Sequence, residues 1–290
     1  MGNIEKKDAV LYFYIDSYTI ARRVMQLEQY FLEPEEIPSM PHVIVKALNI
    51  IKDDNSGVKE LASIISCDQS LSTKVLRLVN SVHFALLHKI DSTYKAVCLL
   101  GMNQTKNIII SIAMKSVVFE EKDKDIWSHS IRCAVACELL AKEYKLISPE
   151  EAFVIGFLHD IGKVILCRKE SKTYNRIVDL TKRGVNYLDA EEMYLKTNHA
   201  VLGAYIAKKW ELSDTIVEAI RYHHSPLKSS NEKITALVYY ADVLSEDSFA
   251  EPEFDKEVAR VTGIYIKDYF KIKNAIKTGT EKLQSMLMNV

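Results

Sequence analysis

Histidine and carboxylate side chains recur through the middle of this chain in a pattern that could hold metal. His129 falls inside IWSHSIRCAVACELLAKEY, and His159 and Asp160 stand side by side in FLHDIGKVIL. His199 opens NHAVLGAYIA, His223 and His224 follow AIRY, and Asp242 lies in LVYYADVLS. Any one of these histidines alone reads more simply as a core or surface residue. As a set, imidazole nitrogens and carboxylate oxygens are the ligands that divalent transition metals favour, and helical bundles build metal centres from inward side chains on facing helices. Asp125 lies one helical turn before His129, where it could ligate or orient that imidazole. Lys163 lies about one turn beyond His159, where it could neutralise a phosphate oxygen.

Helices must position these residues, and the sequence offers little else. Nine glycines and six prolines punctuate 290 residues, and no long stretch alternates with period two. The fold class expected is all-α, in two helical lobes. Residues 8–31 read as an apolar-rich helix that ends at the proline-bearing EPEEIPSMP, so 1–36 is set apart as a helix and linker. Short helices from residue 37 to 119 make a first lobe, and the charged EEKDKD opens a second over 120–245. The clearest helix start is SPEEAFVIGFLHD, with Ser148 as cap, Pro149 in the first helical position and Glu151 closing a capping box. Residues 246–290 read as a charged helical extension.

Composition narrows the class of function. The apolar fraction is 48%, the charged fraction 27% and the formal net charge -1, as in an ordinary globular protein. Basic residues are interspersed with acidic ones, so no nucleic-acid surface is expected. Fifteen tyrosines are scattered without basic interleaving and read as packing, as do Trp127 and Trp210. The longest uncharged apolar run, Ile108–Met114, is far short of the roughly 20 residues a membrane span needs. The opening residues lack a secretory pattern, and five cysteines without a CxxC suit a reducing compartment. A cytoplasmic location is the expectation. Cys133 and Cys137 read as packing residues, and Cys67, Cys98 and Cys167 as buried thiols.

The order H…HD…H…HH…D resembles the HD superfamily of metal-dependent phosphohydrolases, and within it the bacterial HDOD (HD-related output domain) family. The likeness runs from IPSMPHVIVKALNIIKD through LASIISCDQSLSTKVLRLVNS and STYKAVCLLGMNQTKNIIISIA to LVYYADVLS, roughly residues 37–245. It implies an HD-type bundle for the second lobe. In catalytic HD enzymes the metal ligands correspond to His129, His159, Asp160 and Asp242. In the HD-GYP cyclic-dinucleotide hydrolases, residues matching Asp160, His199, His223 and His224 complete a multi-metal site, and Lys163 also has a counterpart. One or two metals such as Mn, Fe or Zn are therefore implied. HHSPLKSS stands where HD-GYP enzymes have an acidic residue and a Gly-Tyr-Pro signature, which counts against cyclic-di-GMP hydrolysis. The resemblance implies a non-catalytic signalling module acting through a protein partner, with self-association a further expectation. A metal-dependent phosphohydrolase acting on a nucleotide-type phosphomonoester or phosphodiester is the alternative.

Overall fold

The computed structural model describes residues 57–246 apart from 82, 83, 85, 87 and 119–122, then 251–288, and before these only 39–40, 44–46 and 48–49. The helix expected over 8–31, and nearly all of the proline-bearing segment after it, lie outside the described residues. Every regular element among the described residues is helical, so the fold is all-α.

After the helical residues 44–46 and 48–49, three short helices follow: α1 (Val58–Ser66), α2 (Gln69–Val79) and α3 (Thr93–Leu100). Side-chain caps mark the starts of α2 and α3, while at α1 the Glu60 carboxylate accepts from the Gly57 amide at 2.9 Å. Asp68 accepts from the Leu71 amide at 2.9 Å and Ser92 from the Lys95 amide at 3.3 Å, and such caps stabilise a helix by about 1 kcal/mol. Asn80 ends α2 and ties it to the strand of chain before α3: its amide donates to the carbonyls of Leu76 and Ile90, and its oxygen accepts from the Ile90 amide. These helices pack on one another.

α4 (Met102–Val118) links the two halves, packing on α3 and on α6 (Pro149–Leu158), and buries Ile108, Ile109, Ile110 and Met114. The longest helix among the described residues, α5 (Lys124–Tyr144), runs through the second bundle against α6 and α12 (Glu232–Ser245). Its inner face is made of small residues, among them Ala134, Ala136, Ala141 and the fully buried Cys133 and Cys137, which lets the neighbouring helices approach closely. Ser148 caps α6 as the sequence predicts, accepting from the Glu151 amide at 3.2 Å.

The bundle continues with α7 (Ile161–Lys169), α8 (Ser171–Lys182), α9 (Tyr187–Leu195), α10 (His199–Lys209) and α11 (Asp214–Tyr222) before α12. α7 and α10 cross at very short range. A Cβ on Gly162 would fall 2.0 Å from the His199 carbonyl oxygen, so only glycine fits there. After α12 come α13 (Lys256–Thr262) and α14 (Tyr269–Leu287), the latter packing on α5 and α4. Tyr144 of α5 holds the approach to α14, its hydroxyl donating to the Tyr265 carbonyl and accepting from the Tyr265 amide.

One expectation needs correction. Cys67 and Cys98 are exposed and Cys167 is half-buried, so these are not core thiols. Cys67 is the residue that terminates α1, and Cys98 lies on the face of α3 opposite the buried Ala96, Val97 and Leu100. No single described helix is long and apolar enough to cross a membrane; the pair Thr93–Leu100 and Met102–Lys115 reaches that length only together, across a 114° bend.

Candidate metal centre

Helix ends do most of the positioning. α6 stops at Leu158, so His159 is its C-cap and Asp160 the N-cap of α7, which turns adjacent side chains toward the same interior space. His223 caps the end of α11 in the same way. Each of these histidines bonds the carbonyl one turn back in its own helix, His159 Nδ1 to Gly156 O and His223 Nδ1 to Ile220 O, both at 2.7 Å. A carbonyl only accepts, so Nδ1 is the donor in both rings. These bonds satisfy helix-end carbonyls that lack an intrahelical donor, and they leave Nε2 facing inward as the ligand atom.

His199, at the start of α10, is held differently. Its backbone amide and its Nδ1 both donate to Glu191 Oε2 of α9, at 3.0 and 2.6 Å. Its Nε2 then lies 2.9 Å from His224 Nε2, 3.4 Å from His223 Nε2 and 3.3 Å from Asp160 Oδ1. A second group forms around His129 of α5. His129 Nε2 is 3.2 Å from His159 Nε2 and 3.0 Å from Asp242 Oδ1 of α12, and 3.6 Å from Asp160 Oδ2. Asp160 lies between the groups, with Oδ2 facing His129 and His159 and Oδ1 facing His199 and His223. Asp242 also reaches both, its Oδ2 standing 4.0 Å from His224 Nδ1.

The seven expected ligands thus converge, drawn from α5, the α6–α7 elbow, α10, the end of α11 and α12. Lys163 lies beside them, its ammonium 2.6 Å from Asp160 Oδ2 and 4.7 Å from the centre of the Tyr187 ring. Asp125 does not join them: it is exposed on α5, and the carboxylate on His129 is that of Asp242. Two residues escaped the sequence reading. Glu191 is fully buried behind His199. Glu246, exposed at the end of α12, brings a carboxylate oxygen within 4.8 Å of ligand atoms on His129 and Asp242. The available signal for Glu191 was its place on the stripe Tyr187, Glu191, Leu195, a lone carboxylate at apolar helical spacing.

Burial and neighbouring charges shift several of these groups in opposite directions. Burial alone would raise the carboxyl groups of Asp160 and Asp242, yet both are held well below the usual range, Asp160 by His159 and Lys163 and Asp242 by hydrogen bonds from His129 and His159. Burial opposes protonation of His159 too, but the charge of Asp160 beside it holds that imidazole well above its ordinary value. His223 goes the other way, pushed well down by burial and then by His224, and His224 is pushed down to about 3 by burial and then by His199.

The donor set fits a metal on its own chemistry. His199 and His223 have committed their Nδ1 protons elsewhere and present two Nε2 lone pairs to each other at 3.4 Å. Asp160 Oδ1 is buried and has no hydrogen-bond donor among the described residues. Buried polar atoms are almost always satisfied, and a cation between these groups satisfies all three.

An uncharacterized protein of Treponema pallidum is 24% identical over 197 residues, 66% of this chain and 38% of that protein. The protein named Ribonuclease Y of Mycoplasma mycoides is 33% identical over 122 residues, 42% of this chain and 22% of that one. The chain therefore spans well under half the length of either relative. In three dimensions it resembles the crystal structure of an HDOD domain protein of unknown function from Geobacter sulfurreducens, with a TM-score of 0.69, 22% identity, and coverage of 93% of this chain and 96% of that one. The model of the HDOD domain matches residues 37–226, about two thirds of the sequence. With that match, the chain belongs to the HDOD family.

Proposed function

We propose that this chain is a regulatory module of the HDOD kind that works through a protein partner and keeps a two-subsite metal centre in its second bundle. The observation that carries the metal is the placement of Asp160, whose two oxygens face two separate groups of imidazoles. One subsite consists of His129, His159, Asp160 and Asp242, the other of His199, His223, His224 and Asp160. Mn, Fe or Zn suits such ligands. A metal there would supply Lewis acidity and lower the pKa of bound water.

The regulatory reading is supported by how little of the centre faces outward. His159, His199 and His223 are at 0% exposure and Asp160 at 1%. Behind His224 the chain turns through Pro226–Lys228, and Ser229 and Ser230 both bond Glu218, so this segment is committed to internal contacts. The phosphohydrolase reading rests on the rim: the His224 side chain is 28% exposed and that of Asp242 14%, with Glu246 nearby. A relative named Ribonuclease Y makes a phosphodiester the first substrate class to try. In either case Asp160 would hold both ions in register, and Lys163 would fix the orientation of Asp160.

Elemental analysis of protein purified without chelator tests the centre, with His159→Ala and Asp160→Ala alongside. Bound metal lost in both variants is the expected result, and a parent free of metal overturns the centre. The loaded parent is then assayed on bis(4-nitrophenyl) phosphate and 4-nitrophenyl phosphate. No turnover above the Asp160→Ala background is expected; turnover abolished by that substitution would replace the module with the enzyme.

A further inference from the structure

Glu191 lies outside the ligand set, yet it is fully buried and touches the centre. One of its oxygens, Oε2, accepts from both the backbone amide and the ring Nδ1 of His199, and Oε1 has no hydrogen-bond donor among the described residues. Tyr187, one turn earlier on α9, sets the edge of its ring against the same imidazole, with centroids 5.7 Å apart. A carboxylate sealed in such a place is costly unless it is compensated. Its compensation is His199, held in the tautomer that offers Nε2 to the metal.

Among the imidazoles whose Nδ1 bonds are described, His159 and His223 lean on neutral backbone carbonyls, whereas His199 leans on a carboxylate. An anionic acceptor makes a stronger, shorter hydrogen bond than a neutral one and raises the donor strength of the opposite nitrogen. We infer that Glu191 is the positioning residue of the His199–His223–His224 subsite, fixing the tautomer and ring orientation of His199 so that this subsite holds its divalent cation more tightly than the His129–His159–Asp242 subsite does. The inference rests on the metal-centre reading above and adds that the two subsites load unequally, with a named residue as the cause.

Calorimetric titration of the chelator-stripped full chain with Zn2+ tests it. The parent should show two binding events. His129→Ala should remove the weaker one and leave the event that belongs to the His199 subsite. In that background Glu191→Ala should weaken the remaining event by about 10- to 100-fold, the range found when such outer groups are lost. Glu191→Gln should weaken it less, because the amide oxygen still accepts both His199 bonds but carries no charge. In the otherwise unchanged parent, Glu191→Gln should leave the weaker event within about twofold and the melting temperature in chelator unaltered. A merely structural role would move that melting temperature and weaken both events together. Unchanged affinity in both Glu191 variants overturns the inference, as does equal weakening of the two events in Glu191→Gln, which decides alone if the alanine variant fails to fold. A parent that binds no Zn2+ sinks the centre itself, and that failure is visible before any Glu191 variant is made.

Discussion

A histidine that refuses a proton when folded makes the fold sensitive to acid. His224 is pushed down to about 3 and His223 well below its ordinary value, while in the unfolded chain both return to roughly 6.5. As pH falls below about 6.5 the unfolded state binds protons that the native state declines, so stability drops. The depressed carboxyls of Asp160 and Asp242 act in the same direction at lower pH, since their stabilisation disappears as pH falls through their folded values. His159 has the opposite sign: its raised value contributes stability that is complete below about 6.5 and fades as pH rises. For the chelated protein we expect a urea midpoint that is highest near pH 6.5 and falls steadily toward pH 4, with the fall reduced in His224→Asn. A midpoint that rises on acidification below 6.5 would contradict these shifts. Thiol chemistry offers a second check at this scale. Burial, and then the hydrogen bond its thiol makes to Cys137, pushes Cys133 well up, whereas Cys67 and Cys98 are exposed. Brief native treatment with Ellman's reagent should modify Cys67 and Cys98 and spare Cys133 and Cys137, as read by mass spectrometry.

Helices impose their own constraint at Gly162, where α7 meets the first turn of α10. Gly162→Ala would drive a methyl group into backbone, which has no rotamer to escape through, and overpacking of this kind costs about 1–3 kcal/mol or more. Gly203→Ala at the same crossing meets chiefly the Ile220 side chain, at 3.0 Å, and should cost less. Thermal melts of the two variants would show whether the crossing is as tight as described; equal stability would contradict it. Helix starts and stops were legible in the sequence, because Ser148 and Pro149 at the start of α6, and Ser92 and Gly101 around α3, act locally and the observed helices begin and end on them. The convergence of the histidines was legible only as a pattern shared with a family. Glu191 and Glu246 were not: Glu191 looks solvated on its short helix until its neighbours are in place, and Glu246 opens an acidic stretch that reads as exposed linker. Asp125 misled for the same reason: helical spacing puts it near His129, but the carboxylate that arrives belongs to α12, far along the chain.

At the scale of the whole molecule, a metal held at a centre fed from five parts of the bundle would link metal to stability. Any ligand that binds the native state alone stabilises it by mass action, by about 2.7 kcal/mol at a hundredfold excess over Kd. The melting temperature of the stripped protein should therefore climb with added Zn2+ or Mn2+, and Asp160→Ala should abolish the dependence by removing the group common to both subsites. A parent whose melting temperature ignores the metal would argue against a native-state site. His129 and Asp242, in contact at 3.0 Å, are 113 positions apart. At a synthesis rate of about 5–20 residues per second, the imidazole leaves the ribosome roughly 6 to 23 seconds before its carboxylate. A nascent chain cannot close the cage during that interval. Capture of the ion would thus act as a checkpoint on maturation, passed only by molecules whose late helix has come home.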